Sequence, residues 1–145
     1  MLSKAIKVAE EALNGRMDAQ GMPYIDHAMR VMDQMDTEEE KTVAILHDVV
    51  EDTEMSLLEL QEMGFSRTVL DALDMLTKRA DMTYFDYIDD IHCSELASKV
   101  KIAEIEDNKD IDRVKKMSFQ TYTPEARAQK ALAILRGEEL HDNYH

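Results

Sequence analysis

Apolar residues recur along this chain at steps of three and four, the period of an amphipathic helix, and almost nowhere in the alternation of a strand. Leu2, Ile6, Ala9 and Leu13 line one face of a first helix. Gly15, Gly21 and Pro23 break the pattern between Asn14 and Tyr24, and Ile25, Ala28, Val31, Met32 and Met35 resume it as a second helix. Thr37 and Glu40 have the spacing of a capping box, with Glu38 and Glu39 in the first turn, and predict a third helix through Val43, Ala44, Leu46 and Val50. Ser56 with Glu59 opens a short fourth helix. Gly64 is placed to end it in a left-handed cap, with Phe65 beyond to close the apolar contact that accompanies such caps. Further helices are expected over 66–78, 83–92 and 95–116, and Thr123-Pro124-Glu125 predicts a last one through Ala128, Ala131, Leu132 and Leu135. The expectation is an all-α fold of about seven to eight helices forming one domain over residues 1–145, with no internal repeat, low-complexity stretch or linker.

Composition narrows the function. Lys and Arg number 17 against 31 Asp and Glu, a net charge of −14, which repels nucleic acid and anionic membrane and argues against a polynucleotide partner. The single cysteine, Cys93, excludes an intramolecular disulfide and a thiolate zinc cluster, in keeping with a reducing cytoplasm. Residues 1–13 alternate Lys and Glu with apolar positions, unlike a signal peptide, and no run of about 18 apolar residues is present to span a membrane. A soluble cytoplasmic protein is expected. The 11 methionines read chiefly as core, since Met29, Met32 and Met35 keep helical spacing; an exposed methionine stripe would instead suit an oligomer.

The candidate chemistry lies in Ala44-Ile45-Leu46-His47-Asp48-Val49-Val50-Glu51-Asp52-Thr53, where four ionisable residues interrupt an apolar helix. His47 and Glu51 are four apart, as are Asp48 and Asp52, so both pairs project toward one side. A buried carboxylate needs a counter-charge, which a divalent metal supplies, and imidazole with carboxylate is a suitable ligand set. His27, near the start of the second helix, is a candidate third ligand, and Glu104 would complete the set, with Asn108 four positions further on. Glu51 or Asp52 could then accept the proton of an activated water. Each residue alone reads as structural or solvated; their order along the chain carries the signal.

With these segments in view the chain resembles the HD-domain hydrolases of the RelA/SpoT type and their small alarmone hydrolase relatives. The resemblance rests on Gly21-Met22-Pro23-Tyr24-Ile25-Asp26-His27, on His47-Asp48-Val49-Val50-Glu51-Asp52-Thr53, on Leu76-Thr77-Lys78 and on Val100-Lys101-Ile102-Ala103-Glu104 through Asn108. It implies an all-helical fold, a manganese ion held by His27, His47, Asp48 and Glu104, and water activated by Glu51 and Asp52. It also implies a nucleotide beside Asn108, and removal of the 3′-pyrophosphate from guanosine tetra- or pentaphosphate.

Two positions depart from the family. The carboxylate four before Asn108 is normally Asp and is here Glu104. The loop before Gly21 normally carries basic residues and here reads Asp18-Ala19-Gln20. Arg16, Lys78, Lys101 or Lys109 are candidates to hold phosphates in their place, Lys101 first among them because it lies one turn before Glu104. Three readings follow: an alarmone hydrolase, an HD hydrolase of another nucleotide phosphate, and a degenerate member that binds a nucleotide or a protein without turnover.

Overall fold

The computed structural model describes residues 1–115 and 124–138, leaving aside the side chains of 109–115 and 124–125. It comprises α1 (Leu2–Ala12), α2 (Ile25–Asp33), α3 (Glu38–Asp52), α4 (Leu57–Glu62), α5 (Arg67–Met75), α6 (Tyr84–His92), α7 (Glu95–Lys115) and α8 (Pro124–Leu135). Among the described residues there is no strand, only an isolated bridge between Met17 and Pro23. The chain divides into two compact units, Met1–Thr77 and Lys78–His145.

In the first unit α3 is the central element, packed against α1, α2 and α5. It starts where expected: the Thr37 hydroxyl accepts the Glu40 N–H at 3.1 Å while the Glu40 carboxylate accepts the Thr37 N–H at 3.1 Å. The eight residues Thr42 to Val49 are all buried, so the helix is covered on every side in its middle, and each fully buried Val, Leu or Ile there contributes about 1.5–3 kcal/mol. Glu38 serves a second purpose, since its carboxylate accepts the Leu2 N–H at 3.2 Å and so caps α1, which has no side-chain cap of its own.

The fourth helix begins with the Ser56–Glu59 box and ends at Gly64, whose φ of +96° lies in the left-handed region. Gly64 N–H bonds to the Gln61 carbonyl and Phe65 N–H to the Leu60 carbonyl, the paired bonds of a Schellman motif, and Phe65 and Leu60 are both buried. Two ends differ from expectation. Met35 lies outside α2, because Gln34 and Met35 bond to Val31 and Met32, three residues back, and tighten the last turn. Similarly α5 stops at Met75 rather than residue 78: Thr77 N–H bonds to Asp74, and the Thr77 hydroxyl occupies the Leu73 carbonyl at 2.9 Å. Met32 and Met35 are buried and Met29 is half-buried, so the methionine stripe of α2 belongs mainly to the core.

In the second unit α6, α7 and α8 pack pairwise around Ile88, Ile91, Val100, Ala131 and Leu132. Thr83 and Asp86 form a capping box at the start of α6, and the Ser94 hydroxyl accepts the Ala97 N–H at 3.1 Å to open α7. The cap expected at Thr123 and residue 116 at the end of the 95–116 helix lie outside the described residues.

A buried histidine–carboxylate centre and an exposed acidic pair

The buried stretch of α3 carries His47 and Asp48, which are 2 % and 3 % exposed. Burying a carboxylate costs several kcal/mol unless a partner compensates, on the order of what one ion loses on leaving water. The local chain supplies part of the answer. His47 Nδ1 lies 3.0 Å from the Ala44 carbonyl, which can only accept, so Nδ1 bears the ring proton of the neutral imidazole and Nε2 carries the lone pair. That Nε2 is 3.2 Å from Asp48 Oδ1. Packing of α2 on α3 brings His27 Nε2 to 3.8 Å from the other oxygen, Asp48 Oδ2, and His27 is itself buried. One carboxylate therefore stands between two imidazole nitrogens.

A lone pair facing a carboxylate at 3.2 Å is repulsive until a cation joins them, either a proton or a metal. The donor set of two imidazole nitrogens and a carboxylate fits a first-row divalent ion, and the Ala44 carbonyl fixes the tautomer that leaves Nε2 able to coordinate. The residues present thus suit the ion that the resemblance implies.

One turn further along, Glu51 and Asp52 are exposed at the C-terminal end of α3, where the helix dipole disfavours carboxylates by about 0.3–1 kcal/mol each. Thr53 ends the helix there, its hydroxyl donating to the Val49 carbonyl at 2.6 Å. The Tyr24 hydroxyl donates to Asp52 Oδ2 at 2.8 Å. Burial, followed by the charge of Asp48, the bond to Asp52 and the charges of Asp52 and Glu51, pushes the Tyr24 phenol well above its ordinary range, so it keeps its proton as a donor. Tyr24, which the Gly21–His27 segment contains without an assigned role, thus joins this acidic pair from 28 residues away in the chain.

The segment before Tyr24 is a tight turn. Asp18 Oδ1 accepts the N–H groups of Gln20 and Met22 at 2.8 and 3.0 Å, Gly21 takes a φ of +81°, and Tyr24 N–H bonds to the Arg16 carbonyl at 2.8 Å. An open cleft of about 590 Å³ runs beside this turn, lined by Leu13, Arg16, Met17, Ile25, Asp26 and Met29 among others. Asp26 lines the cleft, whereas His27, the next residue and so about 100° around the helix, meets Asp48.

In the second unit α7 carries Lys101, Glu104 and Asn108 on successive turns. Lys101 and Glu104 are buried, and the Lys101 ammonium lies 3.3 and 3.4 Å from the Glu104 carboxylate oxygens and 5.1 Å from the Tyr87 ring centre. Asn108 is half-buried. Of the other cations considered for phosphate, Arg16 and Lys78 are exposed, Lys78 donating to the Arg79 carbonyl at 3.2 Å, and the Lys109 side chain lies outside the described residues.

No family model matches the chain. No curated protein matches it either. Among solved structures it is similar to a metazoan ortholog of SpoT that hydrolyzes ppGpp and plays a role in starvation responses, with a TM-score of 0.77 and 22 % identity over 95 % of this chain and 86 % of that one. The chain therefore has the all-helical fold of that SpoT ortholog, the fold class that the hydrophobic pattern and the resemblance both implied.

Proposed function

We propose that this chain is a metal-dependent nucleotide phosphohydrolase of the HD type, working as one domain over residues 1–145, that removes the 3′-pyrophosphate from guanosine tetra- or pentaphosphate. The observation that carries the reading is the buried Asp48 carboxylate lying between the Nε2 atoms of His47 and His27. The fold supports it, since the solved protein of like fold hydrolyzes ppGpp. His27, His47 and Asp48, with Glu104 from α7, would hold the ion, for which we favour manganese. When bound, a divalent ion polarises a phosphoryl oxygen, lowers the pKa of water and offsets the charge of a polyanion approaching an acidic protein.

The remaining work falls to the chain's own groups. Asp52, with Glu51 beside it, takes the proton of the attacking water. The water oxygen bonds to the phosphorus next to the ribose as that phosphorus parts from the 3′ oxygen, the 3′ oxygen takes up the proton that Asp52 accepted, and pyrophosphate leaves. Asn108 contacts the nucleotide. Lys101 was a candidate for phosphate contact, but its pairing with Glu104 favours a role in holding that carboxylate. No helix of the described residues is long and apolar enough to cross a membrane, and we place the protein in the cytoplasm with its small-molecule substrate.

A second reading keeps the chemistry and changes the nucleotide. It is favoured by the loop before α2, where Asp18 is engaged in the turn and Met17 and Met22 are exposed at 59 % and 53 %. The test for both is manganese-dependent hydrolysis of a nucleotide panel that includes guanosine tetraphosphate, by the parent and by the His47→Ala, Asp48→Ala double variant. Pyrophosphate release from the tetraphosphate by the parent alone is the expected result. Activity on a different nucleotide moves the conclusion to the second reading, and silence with metal bound leaves a nucleotide-binding or partner-binding protein without turnover.

A further inference from the structure

We infer that Tyr24 is a positioning residue for the acid–base carboxylate: its hydroxyl, donated to Asp52 Oδ2 at 2.8 Å, holds that carboxylate in one orientation and presents its second oxygen to the attacking water. The inference rests on the proposed hydrolase function. Asp52 is the last residue of α3 and exposed, so without a tether its side chain would exchange among rotamers and the base would be aimed only part of the time. Tyr24 is well fitted to be the tether. It stands at the exit of the Asp18 turn, its own N–H fastened to the Arg16 carbonyl, and immediately precedes α2. Its ring meets that of His27 edge-on, with centroids 6.4 Å apart and planes at 76°.

A hydrogen bond from a neutral hydroxyl to a carboxylate is short and directional, which suits orientation. The hydroxyl also remains a donor throughout the working pH range, since burial and the carboxylates of Asp48, Asp52 and Glu51 all oppose its ionisation. No proton has to leave Tyr24 in the reaction. The water proton goes to Asp52, and the phenol only holds its acceptor.

Tyr24→Phe tests this, because it removes the hydroxyl and keeps the ring against His27. The expected result is a fall in kcat of about tenfold, the cost of loosening one oriented group. KM, manganese affinity measured by calorimetry, and the thermal midpoint should stay at the parental values. In an Asp52→Asn background, whose residual turnover no longer uses a carboxylate base, the same substitution should have no further effect. A Tyr24→Phe protein with parental kcat, one that loses metal affinity instead, or an equal proportional loss in the Asp52→Asn background overturns the inference and leaves the hydrolase standing. A parent that binds manganese but hydrolyses nothing in the panel overturns the proposed function, and this inference with it.

Discussion

The two ionisable pairs of α3 stand one turn apart in opposite surroundings. His47 and Asp48 are buried in the middle of α3, with His47 Nδ1 held by the Ala44 carbonyl at 3.0 Å and the Asp48 carboxylate 3.2 and 3.8 Å from the Nε2 atoms of His47 and His27. Glu51 and Asp52 sit at the open end of the helix, where the dipole disfavours them and a long-range hydrogen bond from Tyr24 steers the Asp52 carboxylate. Under the proposed function, the difference is a division of labour. A ligand must be desolvated and rigid so that an ion replaces water, whereas a base must meet water and shed its proton back to it.

That contrast can be broken at either end. The largest effect is expected from Asp48→Ala with His47→Ala, which should abolish manganese binding in calorimetry and lower turnover by roughly a thousandfold or more, the loss of water activation and charge compensation together. Asp52→Asn should leave metal affinity intact and lower kcat by about 10²–10⁴-fold, which a paired metal titration and rate assay would separate. If both variants lose metal alike, the two pairs form one site and the division fails.

Glu104→Ala should weaken manganese binding by about 10–100-fold while the histidines still hold the ion, read by the same calorimetry. Thr37→Ala lies at the far end of the same helix and should lower stability by about 1 kcal/mol in urea with parental kcat, a control showing that α3 can be loosened without touching the chemistry. The smallest effect concerns pH. The Tyr24 phenol titrates above its ordinary value near 10, so the stability linked to its proton is fully present below about pH 10 and is lost as pH rises further. Urea midpoints of the parent should therefore fall more steeply than those of Tyr24→Phe as pH rises above about 10.

Most helix starts were legible because a cap is a local event. The Thr37–Glu40 and Ser56–Glu59 boxes and the Gly64 cap involve residues three to five apart, so the atoms that bond are neighbours whatever the rest of the chain does. Helix ends were less legible. Whether Met35 or Thr77 continues a helix depends on a three-residue tightening of the last turn that the hydrophobic pattern does not register. Of the site, spacing alone could place His47, Asp48, Glu51 and Asp52 on one helix, and Lys101 one turn before Glu104.

By itself, then, the order of residues determined an all-helical chain, the starts of its helices and a row of ionisable groups that no ordinary apolar helix would carry, since periodicity and capping act over a single turn. Tertiary structure decided which of those groups are enclosed and what they meet. Only the packing of α2 on α3 sets His27 at 3.8 Å from Asp48, and only the turn at Asp18 delivers the Tyr24 hydroxyl to Asp52 across 28 residues. Such contacts join positions far apart in sequence, and their geometry is set by the shapes of whole packed helices rather than by any local pattern.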